Sequence, residues 1–91
     1  MIVARRFIIS GRVQGVGFRY FAQRAAIEYH ISGYVRNLPT GQVEVVAEGQ
    51  REAMEAFKRE LSIGPYHAQV TSVDETPLNV TGYFHSFRIE H

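Results

Sequence analysis

Cysteine and tryptophan are both missing from the 91 residues, and the first absence excludes the most. Without thiols there can be no disulfide framework and no thiolate metal site. Imidazole ligation has no better support: His30, His67, His85 and His91 show no metal-ligand spacing, and no pair falls at i, i+4. Neither a metal nor any other cofactor is therefore expected. No apolar run approaches the roughly 20 residues that cross a bilayer. The opening Met1-Ile2-Val3-Ala4-Arg5-Arg6 passes straight into a strand pattern and lacks the basic, apolar and small-residue succession of a secretion signal. A soluble cytoplasmic protein with no membrane association is the expectation, and the sequon Asn79-Val80-Thr81 then carries no meaning. Charge of one sign is also scarce. Ten basic and nine acidic residues leave a net charge of +1, too weak a field for a general nucleic-acid binder. Anion recognition has to be local, which favours a small ligand over a polymer.

What is present is 45% apolar content, enough for one modest core and a single domain spanning residues 1–91. Residues Ala4 to Val13 alternate, with Phe7, Ile9, Gly11 and Val13 on one side and Arg6, Ile8, Ser10 and Arg12 on the other. That spacing predicts a strand with one buried face. From Phe18 or Arg19 the spacing turns helical, with Phe21, Ala22, Ala25, Ala26 and Tyr29 recurring at three and four residues until Gly33. Strands are predicted at Ser32 to Leu38 and Gln42 to Gly49, joined as a hairpin by the turn sequence Leu38-Pro39-Thr40-Gly41. Glu52 to Leu61 carries the helical stripe Met54, Phe57 and Leu61, and Gly64-Pro65 stops it.

A fourth strand is predicted at Gln69 to Glu75, its ragged period at Val70 and Val73 suggesting a bulge. Thr76 to Gly82 reads as a loop, and Tyr83 to Ile89 as a short closing strand. The order βαββαβ plus an extra strand implies an α+β sandwich of the ferredoxin-like plan. Its sheet would be mostly antiparallel, with both helices on one face and the first and third strands central.

The stretch Ser10-Gly11-Arg12-Val13-Gln14-Gly15-Val16-Gly17-Phe18-Arg19 joins the first strand to the first helix and holds three of the eight glycines. Consecutive amides curling into a helix start form a concave anion site, reinforced by the helix dipole. The loop is neither a Walker sequence nor a Rossmann fingerprint. An ordinary glycine-rich turn remains the alternative. Arg19 falls in the first helical turn, where the dipole disfavours a cation. The nearest acidic residue in sequence is Glu28, so either an anionic ligand or solvent accounts for its charge. Asn37, near the end of the second strand, could cap the turn or orient a water through its neutral amide.

Other polar residues offer less. Ser10 and Ser32 lack a His/Asp partnership, so nucleophilic catalysis has no apparatus. Glu44 and Glu48 read as a solvent-facing polar strand face. Tyr20, Phe21 and Tyr29 read as core and rim packing, and the predicted central strands carry mainly aliphatic residues where an RNA-binding sheet places aromatics.

Two motifs resemble those of the acylphosphatases, small hydrolases of acyl phosphates. Gly11 to Arg19 fits the pattern Gly-x-Val-Gln-Gly-Val-x-Phe-Arg at each fixed position. Gly33-Tyr34-Val35-Arg36-Asn37, followed by Gly41, Val43 and Gly49, fits the second motif. The resemblance spans the whole chain. It implies hydrolysis of a small-molecule acyl phosphate to a carboxylate and inorganic phosphate, with phosphate as product and inhibitor. By position, Arg19 resembles the catalytic arginine that binds phosphate oxygens, and Asn37 the asparagine that positions the attacking water. The backbone of Gln14, Gly15, Val16, Gly17, Phe18 and Arg19 would form the phosphate cradle. The chain departs from the pattern at its C-terminus, where His91 stands in place of a frequent aromatic residue. That departure is expected to affect edge packing and stability rather than the reaction. Nothing demands a dimer, so a monomer without nucleic-acid or membrane partners is expected. Two rival readings are a phosphate-sensing domain that does little chemistry and a small RNA-binding domain on the same fold.

Overall fold

The computed structural model describes residues 1–91. The elements run β1 (Ile2–Arg12), α1 (Phe18–Glu28), β2 (Ser32–Asn37), β3 (Val43–Gln50), α2 (Arg51–Ile63), β4 (Gln69–Leu78) and β5 (Phe87–Glu90). They form one five-stranded sheet in the order β4-β1-β3-β2-β5. β1 pairs antiparallel with both β3 and β4, β2 pairs antiparallel with β3, and β5 joins β2 in parallel. The α+β plan and the adjacency of β1 and β3 match the expectation from the element order.

Alternation explains which face is buried. Val3, Phe7 and Ile9 of β1, Val35 of β2 and Val43, Val45 and Ala47 of β3 point towards the helices and join a single core cluster. Phe57 of α2 sits at its middle, edge-on to Phe7 at 6.3 Å and to Phe87 at 6.0 Å between ring centroids. Such pairs add about 0.5–1.5 kcal/mol each beyond burial of their area. α1 contributes Phe18 and the small residues Ala22, Ala25 and Ala26.

Several boundaries differ from the sequence expectation, each for a physical reason. α1 ends at Glu28, well before Gly33, because His30 takes the left-handed conformation at φ 57°. Ile31 N–H then donates to Ala26 O and His30 N–H to Ile27 O. This is a Schellman close built without the usual glycine. β4 runs to Leu78 instead of ending at Glu75, because Thr76, Pro77 and Leu78 continue the ladder opposite Arg6, Arg5 and Ala4. Pro77 is tolerated there because β4 is an edge strand. The bulge expected in β4 falls at Thr71, since Ser72 pairs with Ser10 while Val70 pairs with Gly11. β5 is shorter than predicted, starting at Phe87 rather than Tyr83.

The reading of Glu44 and Glu48 as a solvated strand face is corrected. They point away from the helices yet are only 3% and 6% exposed. Arg6 and Arg36 close over Glu44, each through Nε at 2.7 and 2.6 Å. The loop before β5 closes over Glu48, which accepts hydrogen bonds from Thr81 N–H at 3.1 Å, Thr81 Oγ1 at 2.7 Å and Gly82 N–H at 3.1 Å. Burial alone would raise both carboxyls. For Glu44 the bonds from Arg36 and Arg6 outweigh it, and for Glu48 those from Thr81 and Gly82 do, so both lie below the usual carboxylate value. A carboxylate that looks like surface in a pleat pattern thus becomes an anchor once a later segment crosses it.

Candidate active site

The loop between β1 and α1 is shaped by its glycines. Gly15 at φ 73° and Gly17 at φ 79° flank Val16, whose φ is negative, so positive and negative values alternate through the turn. That alternation is the backbone pattern from which concave anion-binding nests are built. Gly17 is also the N-cap of α1, in the left-handed region and with no side chain to cap the helix. The first helical bond is donated by Phe21 to Gly17 O at 3.1 Å. The amides of Phe18, Arg19 and Tyr20 therefore have no partner within the helix. Those of Gln14 to Gly17 donate to no backbone carbonyl either. A Cβ built on Gly15 or Gly17 would meet open space, so the loop borders a clearing.

That clearing is a cleft of about 120 Å³ lined by Val13, Gly15, Gly17, Phe18, Arg19, Tyr20 and Asn37. On a share of about 30 Å³ per water, it has room for several solvent molecules or a small anion. A larger hollow, about 480 Å³, follows the segment Gly82 to Arg88, where the amides of Phe84, His85 and Ser86 also donate to no backbone carbonyl, but neither Arg19 nor Asn37 lines it. The smaller cleft is set apart by its company: a longer run of unpartnered amides, Arg19 and Asn37 meet there.

Arg19 is half-buried at the cleft wall. Arg5, Arg6, Arg36 and Lys58 each pair with a carboxylate, and Arg19 does not. α1 has no acidic residue in its first turn to balance it. One guanidinium nitrogen donates to Glu90 O at 3.3 Å and meets His91 Nδ1 at 3.3 Å. The imidazole can accept there only while Nδ1 carries no proton. The C-terminal departure therefore touches Arg19, a contact beyond edge packing, although His91 does not line the cleft.

Asn37 is the last residue of β2, paired with Val43 across the hairpin. It shares the helix-side parity of Gly33 and Val35, which brings it to the cleft mouth beside the loop. Its carboxamide makes no hydrogen bond to protein, so it neither caps nor shapes the turn; Leu38 N–H and Gln42 O close that turn at 2.8 Å. Its donor and acceptor both stay available to a ligand or water.

Of the residues expected at the site, Gly15, Gly17, Phe18, Arg19 and Asn37 line the cleft together. Gln14 and Val16 do not. The Gln14 side chain turns to the hairpin, and Val16 packs against the core. Arg12 is exposed and lies outside the cleft. Sequence reasoning missed Val13 and Tyr20 as lining residues. Tyr20, 65% exposed, follows Arg19 on the first turn, and that adjacency was its only signal. No group of three or more His, Asp or Glu side chains gathers as a metal site.

Comparison with known proteins bears on the family and the fold. The family model for acylphosphatases matches residues 5–89. An acylphosphatase of Thermus thermophilus is 55% identical over 67 residues, covering 74% of this chain and 76% of the relative. The crystal structure of acylphosphatase from Bacillus subtilis superposes with a TM-score of 0.94 at 37% identity, covering all of both chains. Full-length HypF in its phosphate- and nucleotide-bound form superposes at 0.92 with 33% identity, over all of this chain but 12% of that one.

Proposed function

The chain belongs to the acylphosphatase family, whose reaction is hydrolysis of acyl phosphates, and we propose that Arg19, the Gln14–Arg19 loop and Asn37 carry that reaction here. The observation that supports this assignment most is convergence. An arginine without a carboxylate partner, a run of unbonded amides and a free carboxamide come from three elements into one cleft.

The substrate is a carboxyl–phosphate mixed anhydride, already activated, so positioning and electrostatics supply most of the rate. The loop amides and the Arg19 guanidinium hold the phosphoryl oxygens, the guanidinium as a fork on two of them. Charge gathering on the transferring group meets donors already in place. Asn37 holds a water against the phosphorus on the side opposite the leaving group. The new bond forms between water oxygen and phosphorus, and the bond from phosphorus to the acyl oxygen breaks, releasing a carboxylate. Asparagine cannot take the proton of the water, and no titratable side chain lines the cleft except Tyr20 and Arg19. A phosphoryl oxygen of the substrate accepts it, giving inorganic phosphate. That product fits the same cradle and competes with substrate. The protein acts as a monomer on a small molecule, without a nucleic-acid partner or a bound metal.

The test is turnover of acetyl or benzoyl phosphate in the presence of EDTA, with Arg19→Gln alongside. Native protein is expected to turn over, and the variant to lose on the order of 10²–10³ in rate, as for a lost oxyanion donor, together with phosphate binding. A native protein inactive under EDTA contradicts the proposal, as does an Arg19→Gln variant with native kcat/KM.

A further inference from the structure

We propose that the Gln14 side chain is a positioning residue for the hydrolytic water, clamping the hairpin that carries Asn37 against the phosphate loop. This rests on the role given to Asn37 above and extends it to a residue that does not line the cleft.

The half-buried carboxamide of Gln14 donates through Nε2 to Leu38 O and to Gln42 O, both at 2.8 Å. Both partners are carbonyl oxygens, so the amide can face them only with its nitrogen. They are also the two residues that close the β2–β3 turn, Leu38 N–H donating to Gln42 O at 2.8 Å. Gln42 reaches the other way: its Nε2 donates to Ser10 Oγ at 2.9 Å, and its Oε1 accepts from Thr40 Oγ1 at 2.9 Å. The end of β1, the start of the phosphate loop and the hairpin turn are thereby laced together by two side-chain amides.

Asn37 immediately precedes Leu38, and its pairing partner Val43 immediately follows Gln42. Its own carboxamide has no protein partner, so its place is inherited entirely from this backbone. Gln14 belongs to the loop that holds phosphorus, and it grips the carbonyls beside the residue that holds water. The clamp thus fixes the distance between the two reactants. Removing it leaves Leu38 O bonded to Gly41 N–H and Gln42 O bonded to Leu38 N–H. No buried carbonyl is orphaned, and the hairpin survives with freedom to drift. A misplacement of about 1 Å is enough to cost on the order of 10² in rate.

The experiment measures kcat on benzoyl phosphate and inhibition by inorganic phosphate for Gln14→Met, Gln14→Glu, Asn37→Ala and Gln14→Met combined with Asn37→Ala. Gln14→Met keeps the length of the side chain and loses both donors. We expect its kcat to fall about 10- to 100-fold with phosphate inhibition nearly unchanged. We expect no further loss when it is added to Asn37→Ala, because a clamp has nothing to position once the amide is gone. In Gln14→Glu the carboxylate faces two carbonyls, and activity relative to the native protein should recover as pH falls and the carboxyl regains a proton to donate. The clamp is overturned if Gln14→Met keeps native kcat, if its loss adds in full to that of Asn37→Ala, or if the Gln14→Glu ratio stays flat with pH. Should Asn37→Ala itself keep native kcat, the water-positioning role fails and the clamp with it. An impaired Asn37→Ala beside an unimpaired Gln14→Met removes the clamp alone.

Discussion

Replacing Gly17 by alanine probes the cradle through its backbone. The residue sits at φ 79° and ψ 19°, the left-handed region, where an L side chain crowds its own carbonyl. A Cβ there would touch no other atom within 4 Å, so the substitution adds no clash and its cost is purely conformational. That cost is about 1–2 kcal/mol if the loop keeps its shape. In a domain of this size each kcal/mol is worth about 4–8 °C of melting temperature. The chain can escape the strain only by flipping the turn, and the amides of Gly17 and Phe18 then leave the cradle. Differential scanning fluorimetry with and without inorganic phosphate separates the two effects. A ligand at a hundredfold excess over its Kd stabilises the native state by about 2.7 kcal/mol, a rise of roughly 10–20 °C by the same conversion. Gly17→Ala is expected to melt lower in buffer, to gain much less from phosphate, and to lose kcat/KM on acyl phosphates. A variant with native melting temperature and native response to phosphate would refute the claim that a left-handed Gly17 shapes the site.

Two further outcomes concern the scaffold. Phe57→Ala removes the ring between Phe7 and Phe87 and is expected to cost about 3–5 kcal/mol in urea unfolding. Below its melting range kcat should stay native, since Phe57 does not line the cleft. For Glu48 the folded carboxyl titrates below its ordinary 4.5. The stability it contributes is therefore complete above that value and lost as pH falls through the lower, folded one. Melting temperature should decline on acidification past about pH 4.5 and decline less steeply in Glu48→Gln, whose Thr81 and Gly82 amides should also exchange faster at neutral pH. Equal acid slopes in the two proteins would contradict the anchor.

Much of this architecture can be read locally. The alternation of Phe7 and Ile9, the change of period after Phe18 and the turn chemistry of Leu38 to Gly41 each depend on near neighbours, and the elements they imply are present. The loop glycines and Arg19 stand out for the same reason, a cation at a helix start beside residues that tolerate positive φ. What eluded local reading depends on distant partners. Glu44 and Glu48 fit a polar pleat until Arg6, Arg36 and the Thr81–Gly82 turn close over them. β4 extends past Glu75 because β1 offers Ala4 to Arg6 as a template. His30 ends α1 in the left-handed conformation that helix ends most often give to glycine. The bonds of the Gln14 side chain cannot be read from sequence, because its two acceptors are carbonyls more than twenty residues away, and sequence says nothing of carbonyl direction.

The central claim is that one cleft holds a phosphoryl group and presents water to it through separate residues. Asn37→Ala tests this most directly, with kcat on benzoyl phosphate and the dissociation constant of inorganic phosphate measured on the same preparation. The expected kcat is lowered by on the order of 10² or more, the scale of a reactant no longer aligned, with phosphate bound as tightly as by the native protein. A native kcat, or a loss of phosphate binding in step with kcat, would contradict it.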